Sequence, residues 1–234
     1  NQAGLILVCG PTGSGKTTTI YSLLNTLLGR GLNIMTIEDP VEVELPGIVQ
    51  TQVHDHVGFG FAKGLRSLLR NDPDVILVGE IRDAETAEIA VRAAMTGHLV
   101  ISTVHANSPV GAIKRLKNLN VDPTLLSDCL LGVYSQRLVR IYCPDCQKIS
   151  IASEAHTNAL PAAFPGCKTC YHTGFKGRYP VMSHLEINSE NAALIEKNAG
   201  EVPVKDTMHT EALALHRQGL TPHFEIARLS QKTL

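Results

Sequence analysis

The run GPTGSGKT at residues 10–17 constrains this chain more than any other stretch of it. It fits G-x-x-x-x-G-K-[ST] throughout and sits between two patterned segments. Before it, GLILVCG (4–10) is short, apolar and closed by glycine, the reading of a strand buried on both faces of a parallel sheet. After it, KTTTIYSLLNTLLGRG reads as a helix stopped by Gly29 and Gly31. A strand, a glycine loop and a helix in that order give the motif its physical content. Gly13 and Gly15 let successive backbone N–H groups turn toward one concavity, and the helix amino terminus adds partial positive charge to it. Such a cradle suits a chain of phosphates, so ATP and Mg²⁺ are the expected cofactors. Gly10, Pro11, Thr12, Gly13, Ser14, Gly15, Lys16, Thr17 and Thr18 are the expected binding residues, with Lys16 on the β- and γ-phosphates and the Thr17 hydroxyl on Mg²⁺.

The rest of the first half repeats the alternation. NIMTIED, DVILVGE and HLVISTVHA read as three more strands. GFGFAKGLRSLLRND reads as a loop and then a helix, and AETAEIAVRAAMT as a helix capped by Asp83 and ended by Gly97. Strands alternating with helices predict an α/β fold with a parallel sheet covered on both faces. Past about residue 142 cysteine, glycine and proline cluster, and two helical stretches follow, PVKDTMHTEALALHRQG and PHFEIARLSQ. The expected organisation is a core over 1–142, a cysteine lobe over 143–180 and a helical subdomain over 181–234.

A cation and an attacking water need acids at the carboxyl ends of neighbouring strands. TIEDPVE offers Glu38, Asp39 and Glu42, and ILVGEIRD offers Glu80, with Gly79 where an aspartate usually closes such a strand. His105 closes the fourth strand, at the edge where the γ-phosphate would be sensed. His98 opens that strand, at the opposite end, and is expected at a subunit boundary. Arg66 and Arg70 share a helix face. They either deliver charge to a phosphate or form a local salt-bridge cluster with Asp72 and Asp74.

CPDC at 143–146 is answered by CKTC at 167–170. Two CxxC pairs suit a closed tetrahedral site in which Cys143, Cys146, Cys167 and Cys170 hold zinc, with no ligand position left for a substrate. The alternative is a set of reactive or disulfide cysteines. Cys9 and Cys129 read as core thiols.

Composition narrows the function classes. A net charge of −1 and 4% aromatic residues lack the basic, aromatic stripe of a nucleic-acid translocase. No apolar run has the length of a membrane span, and no signal-peptide pattern opens the chain. The chain starts without Met directly before a strand, as expected for a piece of a longer protein.

Taken together, GLILVCGPTGSGKTTTIYSLL, TIEDPVE, LRSLLRNDPDVILVGEIRD and TGHLVISTVHAN resemble, in order, the Walker A, Asp-box, arginine plus Walker B, and His-box segments of the secretion ATPase superfamily of type II secretion and type IV pilus machines. The resemblance runs from residue 4 to about 142. It implies a RecA-like domain, a homo-hexameric ring and ATP hydrolysis coupled to filament movement. It makes Glu42 the preferred water-activating base and Glu80 the Walker B acid, with Glu38 a further candidate. It places Arg66, Arg70, His98 and His105 at the nucleotide or the subunit boundary. QRLVRIYCPDC and GCKTCYHTGFKGR resemble the edges of the tetracysteine module of assembly-type members, which retraction-type members lack. The span between the two pairs is shorter than in secretion members, implying a reduced lobe. The family further implies an inner-membrane platform protein and a membrane-anchored adaptor as partners, a cytoplasmic place at the bacterial inner membrane, and no nucleic-acid partner. It also implies a preceding domain that supplies arginines to the nucleotide, so weak turnover is expected of this chain alone. The rival readings are a retraction motor, a DNA-translocating RecA-like ATPase and a regulatory nucleotide-binding module.

Overall fold

A computed structural model of the chain describes residues 3–147, 164–198 and 202–230. The chain forms two compact units, one of Asn1–Ser135 with His184–Lys205, the other of Gln136–Ser183 with Asp206–Leu234.

In the first unit the apolar run before the glycine loop forms β1 (Gly4–Cys9). With β2 (Ile34–Glu38), β3 (Val49–Gln52), β4 (Val75–Val78), β5 (Leu99–Val104) and the start of β6 (Leu130–Tyr142) it makes a sheet in the order β3-β2-β4-β5-β1-β6. Every pairing along that order is parallel. β5 is therefore inserted between the strand that feeds the glycine loop and β4, the strand that leads to Glu80.

Period-two alternation explains why these strands are apolar throughout. Leu5, Leu7 and Cys9 of β1, with Ile76 and Val78 of β4, face one core, while Val8, Val75 and Leu77 face the other. The second core is closed by Ile20, Tyr21 and Leu24 of α1 (Lys16–Leu27). The first is covered by α2 (Phe61–Leu68), α3 (Ala84–Met95), α4 (Pro109–Asn118) and α5 (Pro123–Cys129). A leucine as deeply buried as Leu65 or Leu116 contributes about 1.5–3 kcal/mol. α3 buries Ala87 and Ala90 fully. Its Asp83 cap accepts from the Thr86 amide at 2.8 Å, a contact worth about 1 kcal/mol. The unit is completed by α6 (Ser189–Asn198), which brings Ile195 to the core and ties Glu196 to the Ser127 hydroxyl at 2.9 Å.

The second unit holds the remainder of β6, β7 (Phe175–Glu186) up to Ser183, α7 (Met208–Arg217) and α8 (His223–Ser230). Val139, Val181, Met208, Ala212, Leu215 and Ile226 form its core. Glu225 of α8 is buried there and answered by charge: Arg140 donates to it from the backbone N at 2.9 Å and from Nε at 3.0 Å and Nη2 at 2.8 Å, while Arg228 donates from Nη1 at 2.9 Å. The Arg140 guanidinium also lies 4.4 Å from the Phe175 ring centre, within cation–π reach.

The structure departs from the sequence reading near the chain's end. The helix expected from Pro203 begins only at Met208. Lys205 instead exchanges both backbone hydrogen bonds with His184, at 3.2 Å each.

Candidate functional site

The carboxyl edge of the first sheet carries a cleft of about 300 Å³. Thr12, Lys16, Thr17, Glu38, Asp39, Glu42, Gly79, Glu80, Thr103 and His105 contribute to its lining. The glycine loop has the geometry that the motif demands. Gly13 and Gly15 adopt φ of 75° and 83°, and Gly15 stands at the N-cap of α1, where it has no side chain to bond the helix's first N–H groups. Those N–H groups and the open space around Gly13 fit an anion. Lys16 folds back over the loop, with Nζ donating to the carbonyls of Gly10 at 2.9 Å and Pro11 at 3.2 Å. Burial lowers its pKa from the ordinary lysine value, against the pull of Cys9 and Glu80, which favour its charge. Thr17 Oγ1 faces Glu42 Oε1 at 3.4 Å.

Glu80 stands just beyond β4, almost fully buried and held by two cationic or titratable neighbours. Arg82 Nη2 is in close contact with its Oε1, and His105 Nε2 is 3.1 Å from its Oε2. Arg82 also reaches Asp39 at 3.5 Å, so one guanidinium spans the acids beyond β2 and β4. Glycine at 79 has a local cause. A Cβ there would come within 3.2 Å of the Ile37 carbonyl and 3.3 Å of Glu38 Cα. A side chain there, such as the aspartate that usually closes such a strand, would press on the backbone of β2.

Glu38 lines the same cleft but is 3% exposed and enclosed by donors. The Tyr21 hydroxyl is in close contact with Oε2, Thr36 Oγ1 donates to Oε1 at 2.5 Å, and Gln50 Nε2 donates to Oε1 at 3.1 Å. Burial pushes the Tyr21 hydroxyl up to about 12, with the Glu38 contact acting in the same direction. Glu42, by contrast, is exposed on the loop after β2. The edge thus separates an acid locked into the protein from an acid open to solvent. Tyr21, Gln50 and Arg82 were missed in the sequence. Only Arg82 left a signal there, two residues past Glu80.

Three expected residues lie outside the cleft. Arg66 pairs with Glu85 of α3 at 2.8 Å, neither reaching the cleft nor joining Asp72 and Asp74. Arg70, in the 3-10 turn Leu69–Asn71 that follows α2, reaches back to that helix and donates to the Arg66 carbonyl at 3.1 Å. His98 Nδ1 lies 2.9 Å from the Ala93 carbonyl at the end of α3, away from the active edge.

In the second unit the four cysteines converge. Their Sγ atoms lie within 4.8 Å of one another, and among the described residues they are the group of metal-ligating side chains so clustered. The separations are 3.8 Å for Cys143–Cys167, 3.6 Å for Cys146–Cys170 and 3.8 Å for Cys167–Cys170. A regular tetrahedron with metal–sulfur bonds of about 2.3 Å has edges of about 3.8 Å, so the four thiols fit one thiophilic ion. Burial acts to raise the Cys170 thiol. The Cys167 and Gly174 amides, donating to its sulfur at 3.2 and 3.3 Å, together with hydrogen bonds from the Cys146 and Cys167 thiols, outweigh burial and bring it down to about 6. Tyr142, next to Cys143, stacks on Phe175 and meets Phe164 edge-on, giving the site an aromatic wall. Residues 148–163, most of the span expected to form a reduced lobe, lie outside the described residues. Cys9 and Cys129 are buried, and burial pushes them up to about 11 and about 12, as befits inert core thiols.

Comparison with known proteins follows the same residues. The family described as "Type II/IV secretion system protein" matches residues 1–228. The type II secretion system protein E of Pectobacterium carotovorum is 46% identical over 98% of this chain and 49% of its own length. The type II secretion system ATPase E of Vibrio cholerae is 43% identical over 98% of this chain and 49% of its own length. The chain thus spans about half the length of these curated relatives. Among solved structures, the pilus retraction motor PilT with bound ADP superposes with a TM-score of 0.72 at 31% identity, covering 100% of this chain and 63% of that one.

Proposed function

The chain belongs to the type II/IV secretion system protein family, and from that premise we propose that it is the ATP-hydrolysing core of a motor that polymerises pilins or pseudopilins. The observation that carries the reading is the convergence of Lys16, Thr17, Glu42, Glu80 and His105 on one cleft at the carboxyl edge of a parallel sheet.

Gly10–Thr18 would hold the phosphates of ATP, and Thr17 with Glu80 would hold Mg²⁺. Bound together, these groups supply a phosphoanhydride and a neutralising cation. Lys16 exchanges its two loop carbonyls for phosphate oxygens and stabilises charge there. Glu42, solvent-accessible beside Thr17, orients a water and takes its proton. Glu38 has a different part. With its oxygens already engaged, it anchors the loop instead of acting as a base. His105 ties the end of β5 to Glu80 and senses occupancy of the cleft. Arg66 and Arg70, outside this cleft, are assigned to a neighbouring copy's site in a hexamer.

Zinc in the Cys143, Cys146, Cys167 and Cys170 cluster would staple a segment too small to hold itself together. The tetracysteine cluster and the identities to type II secretion proteins, 46% and 43% against 31% to the retraction motor, favour assembly over retraction. The motor would act in the cytoplasm at the inner membrane, against a platform protein and a membrane-anchored adaptor.

The test is ATP turnover and nucleotide binding by the full-length protein. Lys16→Ala is expected to lower turnover by about a hundredfold or more. A parent protein that binds no nucleotide would defeat the reading.

A further inference from the structure

Gln50 uses its whole side-chain amide on the loop that carries Glu42. Its Nε2 donates to Glu38 Oε1 and to the Val43 carbonyl, each at 3.1 Å, and its Oε1 accepts from the Leu45 amide at 2.6 Å. Two residues along β3, Gln52 Oε1 accepts from the Val41 amide at 3.2 Å. Backbone groups on both sides of Glu42 are thus fixed by two glutamines of one strand, while Glu42 itself lies outside regular structure and is exposed.

The placement follows from the register. β3 is the edge strand, and its pairing with β2 sets Gln50 opposite Thr36 and Gln52 opposite Glu38. Glu38 is held from its other side by Tyr21 and Thr36, so it is a fixed post to which Gln50 fastens the loop. Removing the Gln50 amide would leave the β2–β3 backbone ladder intact and leave Glu38 its other donors. What would be lost is the hold on the Val43 carbonyl and the Leu45 amide, while Gln52 still holds Val41 and the Tyr21 hydroxyl still meets the backbone of Glu42 and Val43.

We propose that Gln50 is a positioning residue for Glu42, holding the loop so that the Glu42 carboxylate faces Thr17 at the cleft. The inference rests on the assignment of Glu42 as the water-activating base. A carboxylate some ångströms off its working place loses most of its effect on a reaction, because proton transfer needs hydrogen-bond distance. The amide is also chemically specific. Gln50→Glu has the same shape but sets an oxygen where Glu38 and the Val43 carbonyl need a donor.

The experiment measures kcat, KM for ATP and hydrogen exchange of the Leu45 amide in the full-length protein, for the parent, Gln50→Leu, Gln50→Glu and each of these combined with Glu42→Gln. For both single variants we expect kcat to fall about ten- to a hundredfold and KM to stay within about threefold, and for Gln50→Leu, which removes the acceptor, we expect the Leu45 amide to exchange faster. In the Glu42→Gln background the Gln50 changes should cost nothing further, since the group they position is gone. The inference is overturned by a Leu45 amide that exchanges in Gln50→Leu as in the parent, by faster exchange with kcat unchanged, or by a loss that multiplies with Glu42→Gln. Should Gln50→Leu fail to fold, Gln50→Met, which has the length of glutamine but lacks the amide donor and oxygen, carries the same readouts. A parent that turns over no ATP fails before any variant is compared, and that failure belongs to the ATPase reading.

Discussion

His105 Nε2 lies 3.1 Å from Glu80 Oε2, and β5, the strand His105 directly follows, is the one inserted between β1 and β4. The contact therefore joins the strand beside the glycine loop to the acid beyond its other neighbour. A displacement of the glycine loop has a short covalent and hydrogen-bonded path to Glu80 through β5 and His105.

Removing the imidazole should affect turnover more than binding. His105→Ala is expected to hold ATP with near-parent affinity while kcat falls about ten- to a hundredfold. Glu80→Gln is expected to fall further and to require more Mg²⁺ for half-maximal rate. Steady-state kinetics across a Mg²⁺ series, beside nucleotide binding, would show it, and equal losses in affinity and kcat for His105→Ala would speak against the sensing role.

Gly79 allows a test of why the Walker B strand lacks its usual aspartate. Gly79→Asp forces a Cβ against the Ile37 carbonyl and Glu38 Cα, at 3.2 and 3.3 Å. Overpacking against backbone is expected to cost about 1–3 kcal/mol in urea unfolding. The new carboxylate should not restore turnover to Glu80→Gln. A stable variant that did restore it would show that the position is open to the metal.

The cysteine cluster predicts metal content. Protein purified without added metal should carry about one zinc per chain, lost in Cys143→Ser. The variant's loss of thermal stability should fall on the second unit, with nucleotide binding by the first retained. Four titratable thiols and no metal in the parent would remove the staple.

Glu225 predicts a pH dependence. Burial acts to raise its pKa, but the hydrogen bonds and charge of Arg140 and Arg228 outweigh it and hold the carboxyl below its ordinary value of 4.5. A carboxylate depressed in the folded state stabilises above its unfolded pKa, and the contribution is lost as pH falls through the folded value. Stability of the second unit should therefore be level above pH 4.5 and fall below it. Glu225→Gln should flatten that fall and lower stability at neutral pH by about 1.5–3 kcal/mol, read from thermal midpoints across pH.

Much of the core was legible because its signals are local. The glycine loop, the Asp83 cap and the apolar runs of β1, β2, β4 and β5 each announce themselves within a few residues. β3 did not. VQTQ is an exposed edge strand with no apolar alternation, and its glutamines are explained only by a loop folded beside them. β7 was hidden because Gly177 and Pro180 argue against a strand. The fate of Glu38 was illegible for another reason. Its donors come from Tyr21, Thr36 and Gln50, on α1, β2 and β3, and only the sheet brings them together. Arg66 misled because helix spacing picks out a shared face but not the element opposite, which proved to be α3 with Glu85.

The chain crosses between its two units three times, after Ser135, after Ser183 and after Lys205. No single break in the polypeptide can therefore separate them. A gene fragment ending at the first crossing would encode the glycine loop and the cleft acids Glu38, Asp39, Glu42 and Glu80, yet lack Leu185, Ile195 and Val202, which complete the core beneath them. Exchange of the metal-bearing unit between relatives would have to splice two separate segments at once. Inheritance of the glycine-loop unit and of the cysteine cluster is thus bound together by the path of the backbone, whatever each contributes to the work.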